Sequence, residues 1–241
     1  MHKIHFRSIL VILTGGLMAA VVRGEAEVDA TRAPSPLQPV TIYMPGSMQY
    51  QVQEGDVALV ALRIDKNGRI QDWVGLNLPH YRLVEPLGAA LKSLTFSPAM
   101  EGGNPVAADT LIEIRLGEGI RPSILSLDAV ETHLSRITRM GVSRMGLQLA
   151  RVEELDHPLV LLGNPEKIGV KNESGEVLTG IVAVNLYVDQ NGEPHLITAE
   201  ESDQPALEQA AIEMVGKFRF EPPTSGGAPA TVRVRIPVQF N

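Results

Sequence analysis

The residues best equipped for chemistry are few. Glu153, Glu154, Asp156 and His157 stand in one short stretch, and carboxylate and imidazole donors of this kind ligate divalent metals. The spacing lacks HExxH, HxH or a repeated carboxylate pattern, so a solvated or structural role is the better reading. His133 has Glu131 nearby and reads as a surface histidine, while His80 and His195 lie near turns without an evident nucleophile partner. Gly117 and Gly119 form a lone GxG followed by Pro122, and no serine sits in a GxSxG elbow. The expectation is a protein that is not an enzyme, with no catalytic residue, no cofactor and no metal. Trp73, the only tryptophan, falls at a strand position and reads as core or cross-strand packing.

Composition narrows the class further. The 241 residues include no cysteine, which excludes disulfide scaffolds, zinc fingers, thiol nucleophiles and a lipid-bearing N-terminal cysteine. With 21 basic against 28 acidic side chains the chain is no nucleic-acid binder, since that affinity rests on clustered Lys and Arg. A hydrophobic content of 44% is too high for disorder throughout.

The elements that position such residues begin with an address. Lys3 and Arg7 precede an uncharged stretch over 8–22, and Gly24 and Ala26 follow at signal-peptidase spacing, so 1–26 read as a secretory signal peptide. As a helix the 15-residue stretch spans about 22 Å, short of a hydrocarbon core of about 30 Å. Cleavage near Ala26 is the preferred reading, and retention as a short inner-membrane tether is the alternative. Residues 27–53, with Pro34, Pro36, Pro39 and Pro45, read as a linker holding one short strand at 40–43.

The remainder repeats itself at an offset of 124. Asp65, Asn67 and Gly68 meet Asp189, Asn191 and Gly192; Phe96 and Pro98 meet Phe220 and Pro222; Gly102, Gly103 and Pro105 meet Gly226, Gly227 and Pro229. In the second copy Val182, Val184, Leu186 and Val188 alternate as in a half-buried strand, and the Asp189 to Gly192 turn sends the next run back antiparallel. Ser202 or Asp203 is placed to cap a helix with Pro205 in its first turn and Leu207, Ala211, Met214 and Val215 on one face. After the Gly226 and Gly227 turn, the run ending at Phe240 alternates as a final strand. The first copy reads alike, with a helix near 84–94 shortened by Pro86 and Gly88. Between the copies, 126–140 read as a connecting helix, and Met145, Leu147 and Leu149 as a short strand. The expected fold is α+β: two small β-β-α-β domains, each an antiparallel sheet with a helix on one face, joined by a helical connector. Their spans are 54–118, 119–154 for the connector, and 155–241.

The strand from Gly180, the Asp189 and Gly192 turn, the helix with Ala210 and Ala211, the FRFEP run from Phe218 to Pro222, the Gly227 turn and the closing RIPVQF together resemble the C-terminal domain of the TonB family. The resemblance covers about 155–241, and about 55–117 as a degenerate first copy. It implies a periplasmic module in nutrient transport that docks on a peptide segment of an outer-membrane receptor, or on another envelope protein, by adding an extended strand to a sheet edge. In the family the last strand commonly offers that edge, which here points to Thr231, Val232, Arg233, Val234 and Arg235. A short apolar segment, the lack of a long proline-rich spacer and a missing glutamine-proline pattern before the first strand favour a secreted binding protein over a force-transmitting transducer. The alternative is an envelope assembly protein that forms a homodimer through the same edges; a secreted hydrolase is the remote one.

Overall fold

The computed structural model describes residues 32–37, 52, 55–116, 123–125, 145–163, 169–172 and 174–241. The leader, the strand expected over 40–43 and the helix expected over 126–140 lie outside the described residues. In chain order the elements are β1 (Ser35–Pro36), β2 (Val57–Ile64), β3 (Ile70–Leu78), α1 (Val84–Leu91), β4 (Phe96–Ser97), β5 (Ala99–Glu101), β6 (Asn104–Val106), β7 (Ala108–Arg115), β8 (Ser123–Leu125) and β9 (Leu147–Ala150). Then follow β10 (Val170–Lys171), β11 (Val177–Leu178), β12 (Gly180–Val188), β13 (Pro194–Ala199), α2 (Pro205–Val215), β14 (Thr224–Ser225) and β15 (Ala228–Phe240). Among the described residues the fold is α+β, mostly sheet with two short helices.

The pair β2 and β3 precedes α1 and the pair β12 and β13 precedes α2, with short strands between each helix and the long strand β7 or β15 that follows, and the two hairpin turns are alike. Asp65 Oδ1 accepts the backbone N–H of Asn67 and of Arg69, both at 2.8 Å. Asp189 Oδ1 does the same for Asn191 at 2.9 Å and Glu193 at 2.8 Å. Gly68 and Gly192 close these turns at φ +78° and +80°, a left-handed conformation that costs other residues energy. A Cβ on either would also overlap the carbonyl oxygen of Phe96 or Phe220, which explains why turn and phenylalanine recur together.

The helices settle on one face of their strands. Leu87 and Leu91 of α1 bury with Leu62, Ile64, Phe96, Ile112 and Ile114. Leu207, Ala211 and Val215 of α2 bury with Val184, Leu186, Val188 and Phe240. Pro86 stands in the first turn of α1, where no intrahelical N–H is needed, so the helix keeps its start but runs only Val84–Leu91. Gly88 lets α1 approach Trp73: a Cβ there would lie 2.9 Å from Trp73 Cζ2. Trp73 packs against this core. The cap of α2 differs from the expectation. Gln204 is the N-cap with no side-chain bond, because Ser202 Oγ accepts the Gln204 N–H at 3.1 Å instead and Asp203 takes no capping part.

The expected separate sheets are joined into one of nine strands, in the order β13-β12-β15-β9-β3-β2-β7-β8, with β14 also on β15. The joint is β9, the strand expected around Leu147 and Leu149. Gln148 pairs with Asn77 of β3, antiparallel, and with Ala230 of β15, parallel. Leu59, Ala61, Val74, Leu76 and Leu111 of the first half, with Leu149 against them, then bury with Tyr187 and Leu196 of the second. The sheet therefore folds back so that the faces away from the helices meet.

Candidate partner-binding edge

β15 forms because its apolar residues alternate. Val232 and Val238 are buried and Val234 and Ile236 half-buried on the α2 side, while Arg233, Arg235, Pro237 and Gln239 are exposed on the other. One side of the strand is paired with β12 along its length, from Gly180 opposite Phe240 to Val188 opposite Val232. The other side is divided. Ala230, Thr231 and Val232 pair with Gln148, Leu149 and Ala150 of β9, and Thr231 Oγ1 also donates to the Gly75 carbonyl at 2.7 Å. Two of the residues expected at an open edge, Thr231 and Val232, are thus covered by the chain's own strand and buried. Past Val232 no strand residue pairs this side among the described residues, so Arg233, Val234 and Arg235 lie on the open part, with the Arg233 N–H still turned to the Ala150 carbonyl by the parallel Val232–Ala150 pairing.

The direction of the backbone groups along this opening follows from the neighbouring strand. Ala183 accepts the Glu200 N–H at 2.8 Å, so its polar groups face β13 rather than β15. Pro237, directly opposite Ala183, therefore turns its carbonyl outward, and Arg233, Arg235 and Gln239 do the same by alternation. Pro237 has no N–H to give, which suits an edge position. Arg235 is held by a bidentate bond to Glu200, Nε to Oε1 at 2.6 Å and Nη2 to Oε2 at 2.8 Å, and this keeps the Glu200 carboxyl well below the usual range.

The opposite rim of the second half is closed by side chains of the first. Asp72 Oδ2 accepts the Leu196 N–H at 2.6 Å, and Arg63, bidentate to Asp109 at 2.7 and 2.8 Å, donates Nη1 to the Ile197 carbonyl at 2.9 Å. Leu196 is held at φ +49°, a conformation leucine rarely adopts, which the Asp72 bond helps secure. His195 lies between two carboxylates, with Nδ1 2.7 Å from Asp72 Oδ1 and Nε2 3.7 Å from Asp189 Oδ2. Burial opposes its charge, but hydrogen bonding and the charges of Asp189 and Asp72 prevail and raise its pKa to about 9. By distance Asp72 is the stronger partner, and Asp189 acts mainly through its charge. Asp72 and Asp189 are pushed up by burial, yet His195 and backbone N–H donors hold both below the ordinary carboxylate range.

Asp189, Glu193 and His195 each present one donor atom within 4.8 Å of the others. Asp189 already accepts three bonds from Asn191 and Glu193, and His195 carries its proton between carboxylates, so the cluster is built as an ion pair. The other chemical candidates have structural posts. Asp156 accepts the N–H of Gly226 at 2.8 Å and of Gly227 at 2.9 Å, fixing the turn before β15, and His157 beside it is exposed. His80 is buried and accepts the Arg82 N–H at 3.1 Å. His133, Gly117 and Gly119 lie outside the described residues. The clasp of Asp72, His195 and Asp189 escaped sequence reasoning. Its one signal is that Asp72 stands where the second half has Leu196.

Residues 163–241, the span that carries β12, β13, α2 and β15, match the family described as the Gram-negative bacterial TonB protein C-terminal. This stretch is similar to a TonB C-terminal domain, an envelope interaction module, and the first half lies outside the match. No curated protein and no solved structure matches the chain. Among the described residues no helix is long and apolar enough to cross a membrane.

Proposed function

We propose that this is a TonB-like periplasmic binding protein associated with outer-membrane receptor-dependent transport, and that it takes partners by strand addition on β15. The observation that carries this reading is the side of β15 beyond Val232, which no strand pairs among the described residues, inside the stretch that matches the family. An incoming segment gains main-chain bonds from the outward groups of Arg235 and Gln239, and its alternate side chains set selectivity. The halves are read as tandem copies, the first degenerate and serving as a brace. Its turn at Asp65 and Gly68 and its core repeat those of the second, while its last strand, β7, already has a partner in β8. The reading calls for no catalysis.

Isothermal titration of the full chain with peptides from the periplasmic N-terminal segments of outer-membrane receptors tests the proposal. Arg235→Pro removes an outward N–H without touching the β12 ladder. It should abolish binding while leaving the circular dichroism spectrum intact. Equal affinity in the variant would place the site elsewhere and sink the reading.

A further inference from the structure

The hairpin of β12 and β13 carries more chemistry than its turn requires. At the offset of 124 Asp189, Glu193 and His195 correspond to Asp65, Arg69 and Gln71. Both turns are built alike: each aspartate takes two backbone N–H bonds through Oδ1, and its own N–H goes to the carbonyl of Arg69 or Glu193 at 2.9 Å. The first turn does this with arginine and glutamine in the two later places. Glu193 and His195 are therefore not needed to make the turn, which leaves their side chains for another task.

Their geometry is that of a ligand set. One donor atom from each of Asp189, Glu193 and His195 lies within 4.8 Å of the others. His195 Nδ1 is 2.7 Å from Asp72 Oδ1, a bond that fixes the ring and turns Nε2 toward Asp189. On that side the ion pair is incomplete, since Nε2 stands 3.7 Å from Asp189 Oδ2, too far for a hydrogen bond. Two ligand atoms on one tetrahedral zinc ion, each about 2.0–2.1 Å from the metal, are about 3.3 Å apart, close to this separation. A carboxylate on the other imidazole nitrogen is the usual support of a metal-bound histidine, and here it comes from the first half of the chain. Asp189 Oδ2 takes the Asn191 Nδ2 bond at 3.0 Å and keeps a second lone pair. Glu193 is exposed, and Arg219 Nε, 3.6 Å from its Oε1, is the cation that a metal must displace there.

We propose that Asp189, Glu193 and His195 bind a divalent transition metal of the zinc type, with Asp72 orienting the histidine. One imidazole with two carboxylates suits zinc, whereas calcium and magnesium take oxygen ligands. The metal replaces the proton on His195 Nε2 while the Nδ1 proton stays with Asp72, so binding releases one proton to solvent. Three protein ligands leave a fourth position for water or for a side chain of another protein. Without metal the cluster is the ion pair described above. With it, the hairpin is tied to β3 through metal, imidazole and carboxylate in series.

Isothermal titration of zinc chloride into the untagged, chelator-treated full chain at about pH 7.5, in two buffers of different ionisation enthalpy, tests the proposal. One zinc per chain should bind, with one proton released. His195→Gln should weaken binding by about a hundredfold, and Glu193→Gln and Asp72→Asn by about tenfold each, in variants whose circular dichroism is that of the parent. Glu193→Gln, at an exposed position, keeps the test open if His195→Gln fails to fold. Nitrogen NMR of the parent's imidazoles should show His195 Nε2 shifting with zinc while Nδ1 keeps its proton, and calcium should leave both unchanged. Zinc binding that is indifferent to Glu193→Gln, with no shift at His195 Nε2, would put the metal elsewhere and overturn the site. Failure to bind at about 100 µM zinc would overturn it as well.

Discussion

Replacing His195 with glutamine isolates the electrostatic clasp between the halves. In the folded chain the imidazole sits between Asp72 and Asp189 with its side chain 22% exposed, and its pKa rises from 6.5 to about 9. Each pH unit of displacement corresponds to about 1.4 kcal/mol, so the charged form contributes on the order of 3 kcal/mol to folding. Because the folded value lies above the unfolded one, this contribution is complete below about pH 6.5 and disappears as pH rises through about 9. Urea denaturation at about pH 6 and about pH 10 should show the parent chain losing roughly that amount, a large share of the stability of a domain this size. His195→Gln removes the group whose pKa is raised and should flatten the dependence. At pH 6 the variant should also be weaker, since two carboxylates are left without their cation. An equal loss in parent and variant would show that the imidazole is not the titrating group and refute the argument.

Gly192→Ala combines a left-handed φ with a Cβ that overlaps the Phe220 carbonyl, and should cost about 2–4 kcal/mol in a thermal or urea melt; Gly68→Ala should cost a similar amount against Phe96. Gly88→Ala should reverse the usual benefit of alanine in a helix, lowering the melting temperature because its Cβ meets Trp73 at 2.9 Å; a gain of about 1 kcal/mol would mean that Trp73 moves freely. Leu186→Asp places a charge at a position 1% exposed, and calorimetry should find both halves lost together, since Tyr187 and Leu196 share a core with Leu59 and Leu76. A surviving separate transition for the first half would contradict that shared core.

Local order was legible in the sequence because it is written in short-range chemistry. The Asp-x-Asn-Gly turns, the period-two strands and the helix opened by Pro205 each depend on neighbours within a few residues, and they stand where expected. The even spacing of Gly68 and Phe96, and of Gly192 and Phe220, carried longer information because a glycine and a carbonyl must meet. The union of the halves was not legible. β9 is only Leu147–Ala150, and its role as a joint depends on which two strands it finds rather than on its own pattern. For the same reason the expected edge was placed partly in error, since nothing local to Thr231 or Val232 announces that β9 covers them. Asp72 and His195 meet across 123 residues of chain, beyond any periodicity.

The central claim is that the open side of β15 is where a partner strand is received. Amide hydrogen exchange of Arg235 and Gln239, followed residue by residue by NMR with and without a bound receptor segment, tests it most directly. These two amides, outward and without a partner strand among the described residues, should become protected on binding, while the β12-paired amides of Val234, Ile236 and Val238 and the β9-paired amide of Arg233 change little. Unchanged exchange at the two positions under saturating peptide, with protection arising elsewhere, would contradict it.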